Sequence, residues 1–119
     1  KQVIQFVKGA DFTVFFRQKD RVSAAGFPTK FVESMACGTP TITNMTSDIA
    51  DYLIDGRNGF LIENDAPQEV EEGLIRAITI DRQELERMKD NCRLYGEFDY
   101  RQYVPVVSEY LGRLIDACP

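Results

Sequence analysis

Apolar and polar positions follow two rhythms along the chain. Val3, Ile4, Phe6 and Val7 recur at helical spacing, and the run stops near Gly9. Residues 13–16, Thr-Val-Phe-Phe, are β-branched and aromatic and predict a short buried strand. The mainly polar residues 17–26 predict a loop. From Pro28 to Cys37 the helical period returns. Phe31, Val32, Met35 and Ala36 make one stripe, and Gly38 is the stop. Residues 40–43, Pro-Thr-Ile-Thr, predict a second strand. A loop over 44–47 follows, in which Thr46 or Ser47 can cap a helix over 48–54. Asp55-Gly56 and Asn58-Gly59 are turn signals, and residues 60–62 predict a third strand.

Beyond Pro67 the pattern is helical. Val70, Leu74, Ile75 and Ile78 line one predicted face; Leu85, Met88, Cys92 and Tyr95 line another. Asp99, with Gln102 three residues on, spells a capping box. It would open a last helix whose seam is Val104, Val107, Leu111, Leu114 and Cys118, with Pro105 inside it to kink or restart it.

Short buried strands alternating with helices predict βαβ units and a parallel sheet with right-handed crossovers. Three strands are few, and the chain opens on a helix. The expectation is an α/β fold: the back half of a doubly wound, Rossmann-like sheet, then C-terminal helices, with the first strands upstream. Strand 13–16 would then be an unpaired apolar edge, and self-association through it is expected. The final seam is longer than such a sheet covers, and part of it is expected to pack on a neighbouring molecule or to be loosely ordered.

Composition narrows the function. The chain has 119 residues, one domain at most. Its net charge of −5, with no basic run, argues against nucleic acid or an anionic membrane as main partner. No apolar run approaches the roughly 18 residues of a membrane span. Lys1 is not a natural start, so the chain is expected to be a piece of something longer. Cys37, Cys92 and Cys118 have no metal or redox spacing and suggest reduced cytosolic thiols. The absence of histidine excludes Ser-His and Cys-His triads and most zinc sites.

The chemistry concentrates where the loop 17–26 enters the next helix. Ligands of open α/β sheets sit outside the carboxyl ends of the strands. With Pro28 as first helical residue, Phe27 is the cap, and Phe accepts no bond from helix amides. The amides of Thr29, Lys30 and Phe31 would then stand open at the positive end of the helix dipole, an anion site. Gly26 lets the backbone come close, and Lys30 adds charge. Arg17 can reach a diphosphate from the strand end. So can Lys19 and Arg21, and as a charged loop all three also fit solvated side chains. Glu33 shares the helix face of Thr29 and Lys30, away from the apolar stripe. It can accept two hydrogen bonds from a ribose diol, or form a solvated pair with Lys30. Residues 44–47 also leave a strand end, with helix capping as their other reading. Asp48 and Asp51 read as solvated face; Tyr100, Tyr103 and Tyr110 read as packing. Cys37, at a helix C-terminus, is not expected to be reactive.

The stretch Ala-Gly-Phe-Pro-Thr-Lys-Phe-Val-Glu-Ser-Met-Ala-Cys-Gly-Thr-Pro, residues 25–40, is followed by an Asp55-Gly56-x-x-Gly59 turn. Together they resemble the C-terminal domain of the retaining glycosyltransferases of family 4, which have the GT-B fold. The resemblance runs from about Val3 to Tyr110. It implies that Glu33 binds the ribose hydroxyls of a nucleotide-sugar donor, and that Gly26, Phe27, Pro28 and Thr29 lie along the diphosphate and sugar. Lys30 matches the lysine of the Pro-x-Lys variants. Ala25 stands where the family carries a first Glu, and Pro28 replaces a Gly.

The implied function is transfer of a sugar from a UDP- or GDP-activated donor to an acceptor hydroxyl, with retained anomeric configuration and without bound metal or other cofactor. This chain would supply part of the donor half and be inactive alone; the acceptor domain would lie upstream. Such an enzyme is expected in the cytoplasm, reaching the inner face of the membrane through the missing domain. The alternative is a non-catalytic nucleotide- or protein-binding module derived from a degenerate transferase, which Ala25 would favour.

Overall fold

The computed structural model describes residues 2–63 and 66–117. Cys118, assigned by pattern to the final seam, lies outside them. Helix α1 (Gln2–Gly9) precedes strand β1 (Thr13–Val14), helices α2 (Arg21–Ala25) and α3 (Thr29–Cys37), and strand β2 (Thr41–Asn44). A 3-10 turn (Ile49–Asp51) leads to β3 (Gly59–Ile62). Helices α4 (Pro67–Thr79) and α5 (Arg82–Leu94), two further 3-10 turns, and α6 (Val104–Asp116) complete the chain. The three strands form a parallel sheet in the order β1-β2-β3, with Thr13 opposite Thr41 and Thr41 opposite Gly59.

Two apolar clusters clothe the sheet. Phe31 and Met35 of α3 pack with Ile49, Leu53 and Cys92. Ile42, Phe60 and Ile62 pack with Ala77 of α4 and Met88 of α5. Hydroxyls tie α3 to the strands. Thr13 Oγ1 donates to Ser34 Oγ (2.8 Å), and Ser34 donates to the Lys30 carbonyl (2.7 Å). Thr13 has then spent its hydrogen, so Thr41 donates to it across 3.1 Å. Every member of this row is satisfied, which buried hydroxyls require. The Asp-Gly-x-x-Gly turn is held likewise. Buried Asn58 accepts from the Ile54 amide and donates to the Tyr52 carbonyl, while Asp55 accepts from the Leu61 amide.

Several elements differ from the pattern. The loop 17–26 contains α2, capped by Asp20, whose carboxylate accepts from the Ser23 amide at 2.7 Å. That cap also holds the Asp20 carboxyl below its usual range. One turn is too short to show apolar periodicity. Strand 13–16 is shorter and more exposed than expected: Val14 and Phe16 are 51% and 42% exposed, because among the described residues only β2 pairs with β1. Strand 40–43 is displaced by one residue, since Pro40 has no N–H to give the ladder.

The helix expected over 48–54 is a single 3-10 turn. Neither Thr46 nor Ser47 caps it; the Thr46 hydroxyl is buried without a partner, and Ser47 has φ 52°. In α3, Phe31 and Met35 are buried as the stripe predicts and Val32 is half-buried, but Ala36 is exposed and Ser34 is buried in its stead. In α4 the buried residues are Gly73 and Ala77, with Val70 and Leu74 beside them. Ile75 and Ile78 point outward. Small residues let that helix approach β3 closely; a methyl on Gly73 would press on Ile62.

The capping box does not form. Asp99 accepts from the Arg101 amide and caps a 3-10 turn, Tyr100–Gln102, while the Gln102 side chain donates to the Gly96 carbonyl. Helix α6 restarts at Val104, so Pro105 falls in its first turn and causes no kink. The described seam residues of α6, Val104, Val107, Leu111 and Leu114, are half-exposed, and no residue of the helix is buried. No helix among the described residues is long and apolar enough to cross a membrane.

Candidate functional site

The site forms where β1 ends and α3 begins. After Val14, the Phe15 amide still donates to the Ile42 carbonyl, 3.2 Å. Two residues on, the pairing changes. The Arg17 amide donates to the side-chain oxygen of Asn44, 2.9 Å, and the Asn44 side-chain nitrogen donates back to the Arg17 carbonyl, 2.7 Å. Arg17 then reaches across the loop, its Nη1 donating to the Gly26 carbonyl at 2.5 Å.

Phe27 anchors the other side. Its ring lies 5.2 Å from Tyr52, 6.0 Å from Phe98 and 6.1 Å from Phe31, so the loop enters α3 from a fixed aromatic nest. Pro28, with φ −75° and ψ 106°, is the cap itself; the expectation that Phe27 caps and Pro28 begins the helix is off by one. Proline also offers no side-chain acceptor, so α3 starts without a cap bond. Phe31 is not open, however: its amide donates to the Pro28 carbonyl at 3.0 Å. The amides of Thr29 and Lys30 have no acceptor among the described residues.

Phe15, Phe16, Arg17, Phe27, Pro28, Thr29 and Lys30 line one open cleft of about 280 Å³. Arg17 and Lys30 are the charged residues of its lining, and the positive end of the α3 dipole lies at it. Gly26 lies beneath the Arg17 guanidinium. Glu33 stands on the exposed face of α3, one turn beyond Thr29 and outside the cleft lining. Neither Lys30 nor Glu33 has an ion pair among the described residues, so the surface pair open in the sequence does not form. The cleft thus brings together Arg17, Phe27, Pro28, Thr29 and Lys30, with Gly26 under it and Glu33 beside it.

Other candidates fall elsewhere. Lys19 donates to the Glu63 carbonyl at 2.8 Å, away from the cleft. Asp48 and Asp51 are exposed, as read. Tyr100, Tyr103 and Tyr110 are exposed rather than packed: Tyr100 and Tyr103 belong to the 3-10 turn and junction before α6, and Tyr110 lies on α6, none of whose residues is buried. Asn44 was legible only as part of a strand-end loop; its position at the carboxyl end of β2 was the available signal.

The profile of the family described as "Glycosyl transferases group 1" matches residues 1–95. The chain belongs to that family. It is 26% identical over 126 residues to an uncharacterized glycosyltransferase of Methanocaldococcus jannaschii, covering 98% of this chain and 29% of the relative. A second uncharacterized glycosyltransferase of that organism is 30% identical over 77 residues, covering 65% of this chain and 20% of the relative. The chain therefore spans less than a third of the length of the curated relatives it matches. Among solved structures, sucrose-phosphate synthase from Thermosynechococcus elongatus superposes with TM-score 0.68 at 18% identity, over 94% of this chain and 27% of that one. Anabaena HepE, in complex with UDP, superposes with TM-score 0.67 at 22% identity, over 92% and 29%. The α/β architecture with its three-stranded parallel sheet is that of the GT-B glycosyltransferases.

Proposed function

We propose that this group 1 domain is part of the donor-binding half of a retaining, family 4 glycosyltransferase whose first strands and acceptor domain lie upstream. The carrying observation is the cleft at the carboxyl end of β1, where Arg17, Lys30 and the open amides of Thr29 and Lys30 converge. It suits the diphosphate of a UDP- or GDP-sugar. The greater length of the relatives supports reading this chain as one part of a longer protein.

In the reaction, the acceptor hydroxyl oxygen forms a bond to the anomeric carbon and passes its proton to the departing diphosphate oxygen. The bond from that carbon to the diphosphate breaks, and the leaving oxygen keeps the electron pair. The cations and amides at the cleft stabilise that developing charge. Glu33 accepts the ribose hydroxyls beside it. Phe27, fixed by its aromatic neighbours, sets the loop from Gly26 to Thr29 along the donor.

The test is titration of the full-length protein with UDP, GDP and their sugars, together with assay of sugar transfer. Micromolar to millimolar binding of one nucleoside diphosphate, with transfer, is expected. Binding without transfer would return the chain to a degenerate binding module. No binding of any nucleoside diphosphate would overturn the donor-site reading.

A further inference from the structure

The cleft opens where the chain leaves the sheet at Arg17, and there one side chain takes the place of the next ladder partner. In a parallel ladder continued from the Phe15–Ile42 bond, the Arg17 amide would next donate to the main chain of Asn44. It bonds the Asn44 side chain instead, and the Arg17 carbonyl does the same. A carboxamide is thus interposed between the strands. The main chain at Arg17 is held a side-chain length away from β2, yet both its polar groups are satisfied. Asn44 is fully buried, with 0% exposure, so this spacer is packed in place. Its own main chain stays in the sheet, in register with Ile62.

The next link is the Arg17 side chain. Its Nη1 holds the Gly26 carbonyl, two residues before the Pro28 cap. Nε and Nη2 make no hydrogen bond or ion pair among the described residues and remain available to an anion, although the Asp20 carboxylate already feels the Arg17 charge. Asn44, Arg17 and Gly26 therefore form one connected path from the sheet to the start of α3.

We propose that Asn44 is a positioning residue of the donor site: its carboxamide sets the Arg17 main chain, and through the Arg17 guanidinium the Gly26 loop, so that guanidinium and helix amides face one diphosphate. This rests on the reading of the cleft as a diphosphate site. Among residue types, only asparagine and glutamine pair one planar acceptor with one donor, as an amide facing an amide demands. The longer glutamine would not fit the packed end of β2.

The experiment uses the full-length protein and whichever of UDP and GDP binds it. Asn44→Ala is expected to raise Kd at least tenfold. Arg17→Ala is expected to do so as well. If Asn44 acts through Arg17, then adding Asn44→Ala to Arg17→Ala should raise Kd less than threefold further; a purely structural role would give additive losses. Wild-type affinity in a folded Asn44→Ala protein, or additivity in the double variant, would overturn the proposal. Hydrogen exchange on the wild type supplies a measurement that does not depend on the variant folding. The Arg17 amide should exchange at least tenfold more slowly than the amide of Gln18, and equal rates would also overturn it. If the wild type binds neither UDP nor GDP, the diphosphate reading fails and this inference fails with it. The exchange result then reports separately whether Asn44 holds the loop.

Discussion

Gly59 lies flat against the main chain of Thr41, its register partner across the β2–β3 pair. A methyl group on Gly59 would run into the Thr41 carbonyl oxygen and crowd its nitrogen. Neither atom can swing away, because both belong to the central strand. Gly59→Ala should therefore cost about 3 kcal/mol, the upper end for overpacking a core. Gly112→Ala, in exposed α6 with open space around it, should instead gain up to about 1 kcal/mol. Urea unfolding of the two variants checks this; a loss below about 0.5 kcal/mol for Gly59→Ala would contradict it.

Gly59 also shows what the pattern could reveal and what it could not. Its place after Asn58 announced a turn, and the turn is there. That the same glycine lets β3 lie against β2 depends on pairing, which one chain segment does not encode. Ile75 and Ile78 misled for a related reason. Hydrophobicity alone marked them for the core, but the buried stripe of α4 is set by Gly73 and Ala77, whose smallness admits close approach. At the site, missing cap chemistry was legible from Phe27-Pro28, and the open helix start follows from it. The Phe31 bond to Pro28 and the Asn44 clamp were not legible, because each needs the backbone path that only the folded sheet supplies.

Lys89 is buried on α5, its side chain 8% exposed, and its ammonium lies 3.0 Å from the Asp11 carboxylate. Chiefly through that hydrogen bond, the Asp11 carboxyl is held below its ordinary value of 3.8. A depressed carboxyl stabilises the fold above its unfolded pKa and loses that contribution as pH falls through its folded pKa. The contribution is therefore present at pH 5 and vanishes in the acid range below 3.8. Asp11 is 58% exposed, so solvent screening limits it to roughly 1 kcal/mol. Asp11→Asn should lower Tm at pH 7, and the difference from wild type should shrink below pH 3.8. A difference that persists unchanged to low pH would count against the pair.

Cys92 is sealed in the cluster with Phe31 and Met35, and burial pushes its thiol up to about 12. Cys37 is only half-buried. In a Cys118→Ser background at pH 8, a thiol reagent should label Cys37 in the folded protein. Labelling of Cys92 should appear only with denaturant. Fast labelling of both cysteines under native conditions would mean that the α3–α5 packing opens freely.

Among the described residues strand β1 pairs with β2 alone, so its other edge has no strand beside it there, and Val14 and Phe16 are half-exposed. Such an edge templates further strand addition. The 119-residue chain by itself should self-associate at high concentration, and Val14→Lys should reduce this by placing a charge on the edge. Sedimentation of both proteins gives the comparison. A monomer at high concentration in the unsubstituted chain would show that the edge is protected.

Glu33 is the sharpest test of how the α3 start works. It projects from the exposed side of the helix, away from buried Phe31 and Met35, and among the described residues it carries no hydrogen bond or ion pair. Its removal should therefore hardly touch folding, with a change within about 0.5 kcal/mol. Donor binding should respond very differently. Hydrogen bonds to a charged group contribute about 1.5–3 kcal/mol each, so losing ribose contacts should weaken donor use by ten- to a hundredfold or more. Glu33→Gln should be milder, because an amide oxygen still accepts. The loss should appear with nucleoside diphosphates and vanish with inorganic pyrophosphate, which engages the Arg17 and Lys30 cleft but has no ribose. An equal loss for pyrophosphate would place Glu33 with the phosphates instead. Unchanged affinity for every ligand would leave it a solvated surface charge.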